Sequence, residues 1–141
     1  MTAYTYTANQ LKHTEGDILR VINFDLTRVT PLALLLAHQH PHPRTNALAK
    51  YLLELAQQQG HILLRYGNRT AVAAAVRLAE AVCASGKNSG LEEGVNVAEL
   101  QTCHKELCLL LQMENKYKLT ALKRKFAKES YLGVGKLRLE L

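Results

Sequence analysis

Residues 70–83 confine this chain to very few architectures. Ala71, Val72, Ala73, Ala74, Ala75, Val76, Leu78, Ala79, Ala81, Val82 and Cys83 leave Arg77 and Glu80 as the clearly polar side chains, so a helix formed here is apolar on almost every side. A soluble helix of that kind belongs in the middle of a bundle. Its alanines let neighbours come close, which predicts a central rod with other helices packed around it. Residues 45–59 read differently: Leu48, Tyr51, Leu52, Leu55 and Ala56 recur at the i, i+3, i+4, i+7 spacing of a helix with one dry face and one wet face. A short polar linker through residues 60–68 is expected to join the two.

The remaining segments also read as helical. Thr7, Ala8, Asn9 and Gln10 form a capping-box pattern, in which a threonine hydroxyl takes the third backbone amide of the helix and a glutamine reaches back. The helix it starts runs through Leu11, Ile18, Leu19 and Ile22 and ends near Phe24. Thr14 and Gly16 weaken it, since a mid-helix glycine costs roughly 1 kcal/mol against alanine. Pro31 suits a first helical turn, and Leu32, Leu34, Leu35 and Leu36 make a short apolar helix that stops before His38. His38, Gln39, His40, Pro41, His42 and Pro43 predict a solvent-exposed loop. Alternate histidines on extended chain lack the convergent geometry a metal needs, and no cysteine or carboxylate nearby in sequence completes a ligand set. Residues 85–90 read as a flexible break, without the strand and residue order of a nucleotide loop. Asn96 with Glu99 opens another helix, carried by Val97, Leu100, Cys103, Leu107, Leu110 and Leu111. A last helix over residues 119–130 turns Leu119, Leu122 and Phe126 inward and Lys123, Arg124, Lys125 and Lys128 mostly outward. Residues 131–141 are expected to lie against the body as a tail.

No segment keeps a period-two alternation, so the reading is all-α, about six helices in one core, which 141 residues suffice to build. Charged residues at 21% and apolar residues at 48% exclude a disordered chain. The apolar runs are too short to span a bilayer and the N-terminus lacks a signal-peptide layout, so the nucleus or cytoplasm is expected and no membrane partner. Cys83, Cys103 and Cys108 are too few and too irregularly spaced for a disulfide framework or a zinc site, and read as reduced core thiols. Cys103, His104 and Cys108 do not make a nucleophile, because the two cysteines fall on different faces and no orienting third group is specified. No paired-carboxylate, nucleophile, metal or cofactor constellation stands out, so no catalytic residue is assigned. The formal charge of +6 is concentrated late, in Lys116, Lys118, Lys123, Arg124, Lys125 and Lys128. That cluster fits a solvated helix face or an anion-binding face.

The order of these pieces resembles the cyclin family, and specifically its mitotic A and B types. ALAKYLLELAQQQGHILLRYGNRTAVAAAV, from Ala47, is similar to the second cyclin box: a leucine and alanine, then KYL, a glutamate and leucine, a turn, a tyrosine and an alanine-rich central helix. YTANQLKHTEGDILRVINFDL at residues 6–26 resembles the last helix of the first box, with Glu15, Ile18, Leu19, Asn23 and Phe24 on family positions. NKYKLTALKRKFAKESYLGVGKL at residues 115–137 is similar to the family's final helix and tail. Two departures stand out. Thr14 and Gly16 replace apolar residues, and Asn68 and Arg69 replace the usual proline and serine before the central helix.

The resemblance implies a five-helix cyclin box around a buried central helix over residues 27–141, preceded by one extra helix over residues 1–26, the remnant of a first box. It implies a non-catalytic regulatory or interaction subunit of a cyclin-dependent protein kinase in cell-cycle control. Most of the first box has no counterpart here, so a truncated form with weakened or no kinase activation is expected. Surviving kinase contacts would fall on Tyr6, Thr7, Gln10 and Leu11, although Tyr6 and Leu11 also suit a role in covering the core. The alternative is a helical nucleic-acid module like the general transcription factors of the TFIIB type, binding through Lys123, Arg124, Lys125 and Lys128. Finally, Leu11, Ile18, Leu19 and Ile22 lack the helices they would pack against, and an apolar stripe left in water finds a partner, a second copy included.

Overall fold

The computed structural model describes residues 5–86, 91–113 and 120–137. Among the described residues six α-helices follow one another: α1 (Ala8–Val21), α2 (Pro31–His38), α3 (Pro43–Gln59), α4 (His61–Cys83), α5 (Val97–Met113) and α6 (Ala121–Phe126), with 3-10 turns at Glu129–Tyr131 and Val134–Lys136. No strand occurs among the described residues. The all-α reading holds.

The alanine-dense part of α4 is the interior rod. Thr70 through Val76, Leu78, Ala79 and Glu80 are buried, and α2, α3 and α5 all pack on this helix. α3 presents the expected stripe, with Leu48, Tyr51, Leu52, Leu55 and Ala56 buried, and Ala49 and Leu53 beside them. α5 contributes Leu100, Cys103, Leu107 and Leu111, while Val97 lies outside the core at its exposed start. Asn96 caps α5, its Oδ1 accepting from the Ala98 and Glu99 amides at 2.9 and 3.3 Å.

The linker expected at residues 60–68 is mostly helix. Gly60 alone makes the turn out of α3, and residues from His61 onward are already part of α4. Ile62 is fully buried and Leu63 and Tyr66 lean on the core, so three apolar residues at helical spacing outweigh the polar composition of the stretch. α4 is bent at Gly67, whose φ of 73° and ψ of 168° belong to a region that only glycine occupies readily. Glu106 of α5 holds the segment before the bend: it accepts from the Tyr66 hydroxyl at 2.8 Å and from Arg65 at 3.1 Å, with His61 3.6 Å from its other oxygen.

The histidine loop departs from expectation, because His40 is buried rather than exposed. Its Nδ1 accepts the His42 amide at 3.1 Å, which leaves the proton on Nε2, 3.3 Å from both the Glu80 carboxylate and the Gly86 carbonyl. Asn46 clasps the His40 backbone from both sides, accepting its N–H at 3.0 Å and donating to its carbonyl at 2.6 Å. Thr45 and Ser85 share a hydroxyl contact of 2.8 Å next to it. The cause is Glu80: a carboxylate on the interior rod needs a buried polar partner, and the loop after α2 supplies it. His42 remains exposed and His38 half-buried, so the three imidazoles do not converge.

The last helix is shorter than the expected 119–130 span. It ends at Phe126, Lys128 is extended, and the chain turns back so that the Tyr131 ring meets Phe126 at 4.6 Å, while Tyr51 lies 5.0 Å from the same ring. Val134 and Gly135 are then buried, as the expected tail along the body requires. Lys116, Lys118 and Leu119 lie outside the described residues. A β-carbon on Gly135 would fall 2.5 Å from the Lys123 carbonyl and 2.8 Å from the Ala127 amide nitrogen, both of them backbone. Gly135→Ala should therefore unseat the tail and destabilise the protein by about 1–3 kcal/mol, read as a lower urea midpoint and as faster amide exchange in residues 129–137.

Candidate partner-binding interface

α1 is shaped by local interactions alone. The capping box is complete: Thr7 Oγ1 accepts the Gln10 amide at 3.2 Å and Gln10 Oε1 accepts the Thr7 amide at 2.8 Å. Asp17 bridges His13 and Arg20 at 3.0 and 2.8 Å. The helix ends at Val21, sooner than Phe24, because Asn23 and Phe24 both take positive φ. No residue of α1 is buried. Leu11 is 53% exposed, Ile18 56% and the neighbouring Val21 82%, with Ile22 also open and Leu19 half-buried, so most of the apolar stripe faces solvent.

The four residues assigned to partner contact therefore share one exposed helix start, but not one role. Thr7 and Gln10 satisfy each other as the cap. Tyr6 and Leu11 are exposed, so they do not cover the core and remain available for contact.

The basic face is smaller than its sequence suggests. Lys125 turns inward and places its ammonium 2.7 and 2.8 Å from the two Glu54 oxygens, over the rings of Phe126 and Tyr131. The Glu54 carboxylate raises its pKa, against a smaller opposing effect of burial. Lys123 is half-buried, and Arg124 and Lys128 are exposed. Sequence reasoning could have found the Lys125 pair only by knowing that α6 crosses the polar flank of α3.

Cys103 and Cys108 sit where the thiolate is disfavoured. Burial, with the Glu106 charge behind it, pushes Cys103 up to about 12. Burial also raises Cys108 and, aided by Arg77, lowers His104, whose Nδ1 is 3.8 Å from the Cys108 sulfur. A neutral imidazole beside a neutral thiol is no activated nucleophile. Among the described residues, no three histidines, cysteines or carboxylates are grouped to hold a metal. Nor is any helix among them long and apolar enough to cross a membrane.

Counted from α2, the described residues form five helices, and the third, α4, is the buried, alanine-rich one on which α2, α3 and α5 pack. The family model described as "Cyclin, C-terminal domain" matches residues 19–139. The chain belongs to the cyclin family. None of the curated proteins compared with it matches. Cyclin domains are regulatory rather than catalytic, and a kinase is the kind of partner they indicate. The cyclin match takes in the last residues of α1 and all of α2 to α6, so the exposed stripe adjoins the domain that defines the family.

The thiol environment gives a test. With its pKa at about 12, Cys103 is thiolate at pH 8.5 in only about three molecules in ten thousand. Native protein treated with iodoacetamide at that pH should leave Cys103 unmodified, and urea should expose it, as peptide mass spectrometry will show. The sign for stability follows: the unfolded thiol ionises from its ordinary 9.0 while the folded one stays neutral, so stability contributed by Cys103 is present below pH 9 and declines from there toward 12.

Proposed function

We propose that this chain is a cyclin-like regulatory or interaction subunit of a cyclin-dependent protein kinase in cell-cycle control, of the mitotic A or B type, acting in nucleus and cytoplasm. The observation that carries the reading is the cyclin C-terminal domain match over residues 19–139, with an exposed apolar helix running into its start. The A or B assignment rests on the likeness of residues 46–75 and 115–137 to those types. In this reading residues 1–26 are the last helix of a first cyclin box and residues 27–141 form the second box. On the same reading the chain binds a kinase with weakened or no activation of it.

Kinase contact falls on Tyr6, Thr7, Gln10 and Leu11, whose exposure leaves them free to meet a partner. Nothing in this role asks the protein for catalysis or a cofactor. Nucleic-acid binding of the TFIIB type is the weaker reading, since the inward turn of Lys125 leaves Arg124 and Lys128 as the exposed cations of that face. Phosphate contacts would make such binding fall steeply with salt.

The experiment is co-purification with a cell-cycle kinase followed by a phosphorylation assay. Retention of the kinase by the wild-type chain is expected, with little or no rise in its rate. Tyr6→Ala with Leu11→Ser should cost stability no more than about 0.5 kcal/mol, as exposed positions do, while reducing kinase retention at least tenfold. A kinase that is neither retained nor changed in rate removes the proposal. Sedimentation of the chain alone reads the other occupant of the stripe, a second copy, as a dimer abolished by Leu11→Ser and Ile18→Ser.

A further inference from the structure

The chain has three prolines, and one of them follows a hydroxyl residue: Thr30-Pro31. Thr30 is exposed and extended, with φ −82° and ψ 157°, at the end of six exposed residues, 25–30, that have no regular secondary structure. A protein kinase takes its acceptor on extended chain, and the proline-directed class requires next to the acceptor a residue that offers no amide hydrogen, as Pro31 does. Thr27, three residues earlier and equally exposed, lacks the proline.

We propose that Thr30 is a phosphorylation site for a proline-directed protein kinase and that the added phosphate fastens α2 to α3. The reaction is phosphoryl transfer from ATP: Thr30 Oγ1 bonds to the γ-phosphorus, the bond from that phosphorus to the β,γ-bridging oxygen breaks, ADP leaves, and the hydroxyl proton passes to the kinase's base. Two obstacles are small. The Thr30 hydroxyl accepts the Ala33 amide at 3.1 Å as the cap of α2, and Asn68 donates to the Val29 carbonyl at 2.7 Å. Both are exposed contacts, and α2 has only eight residues, a length at which an end turn opens readily.

The product has a place to go. Thr30, Pro31 and Leu32 form one wall of a cleft of about 520 Å³ whose other wall is α3 with Leu122 of α6; Lys50 lines it there, and so does Glu54, whose carboxylate is engaged by Lys125. A dianionic phosphate on Thr30 gains an ammonium from α3 and keeps the backbone amides of the first turn of α2 as donors, an arrangement that orders a segment. Arg28, two residues before Thr30, is 82% exposed and pairs with Asp25 at 3.5 Å. This inference is independent of whether the chain binds a kinase as its partner.

The full chain is incubated with a proline-directed kinase and ATP with magnesium, mapped by mass spectrometry, and melted. Phosphate is expected on Thr30 and not on Thr27, absent in Thr30→Ala and Pro31→Ala, and retained in Thr30→Ser, which keeps both cap and acceptor. The phosphorylated chain should melt a few degrees above the unmodified one, and Lys50→Ala should erase that gain without preventing phosphorylation. Absence of phosphate at residue 30 in both the wild-type chain and the Thr30→Ser variant overturns the site. A phosphorylated chain that melts no higher overturns the fastening.

Discussion

Close approach of helices to the alanine face of α4 is the constraint from which the rest of the architecture follows. Between Thr70 and Glu80 the rod offers mainly methyl and small branched side chains, so α2, α3 and α5 can press on it together. Their own larger residues, Leu35, Leu48, Leu52, Leu100 and Leu107, fill the volume that the alanines leave. An interior packed to this density has no slack for a larger side chain on the rod. A carboxylate buried on such a rod needs polar partners, and Glu80 is buried. The His40 loop is folded inward to meet it, and Asn46, Thr45 and Ser85 then satisfy the polar groups that come with the loop. The apolar rod thus dictates a buried polar knot at its far end.

α1 obeys the opposite physics. With no buried residue, it is held by its capping box and by the Asp17 pairs to His13 and Arg20, each worth a few tenths of a kcal/mol to about 1 kcal/mol. Fourteen residues with a glycine in the middle are marginal as an isolated helix in water. The stripe of Leu11, Ile18, Val21 and Ile22 is a surface whose burial would stabilise both the helix and any complex, which is why partner binding and folding of α1 are one equilibrium in the proposed role.

Periodicity made the core legible and left its polar partners hidden. The α3 stripe, the rod and the Thr7 cap can be read directly, because apolar spacing and capping chemistry are local properties. Glu80 carried a signal that spacing alone did not use: one carboxylate on an otherwise apolar helix requires a polar partner, and the histidines of residues 38–42 were donors with no assigned role. The helical character of residues 61–66 was masked by Gly60, Gly67 and Asn68 on either side, although Ile62, Leu63 and Tyr66 mark one face. The inward turn of Lys125 could not be read at all. It depends on where α6 crosses α3, and a lysine beside other basic residues on a short helix looks like solvated charge until Glu54 is placed beside it. For α1 the apolar spacing of Leu11, Ile18, Leu19 and Ile22 was legible, whereas which partner covers it is a property of two molecules.

The two departures from the cyclin pattern before the central helix gain a physical account from this arrangement. Where related sequences usually carry proline and serine, Asn68 donates to the Val29 carbonyl at 2.7 Å and Arg69 donates to the Glu93 carbonyl at 2.7 Å. Both follow the Gly67 bend, so the bend aims one side chain at the connection leading out of α1 and the other at the turn entering α5. Proline has no side-chain donor, and serine is too short to span either gap. The pair therefore ties two irregular segments to the start of the rod, residues 25–30 through the Val29 carbonyl and the turn before α5 through the Glu93 carbonyl.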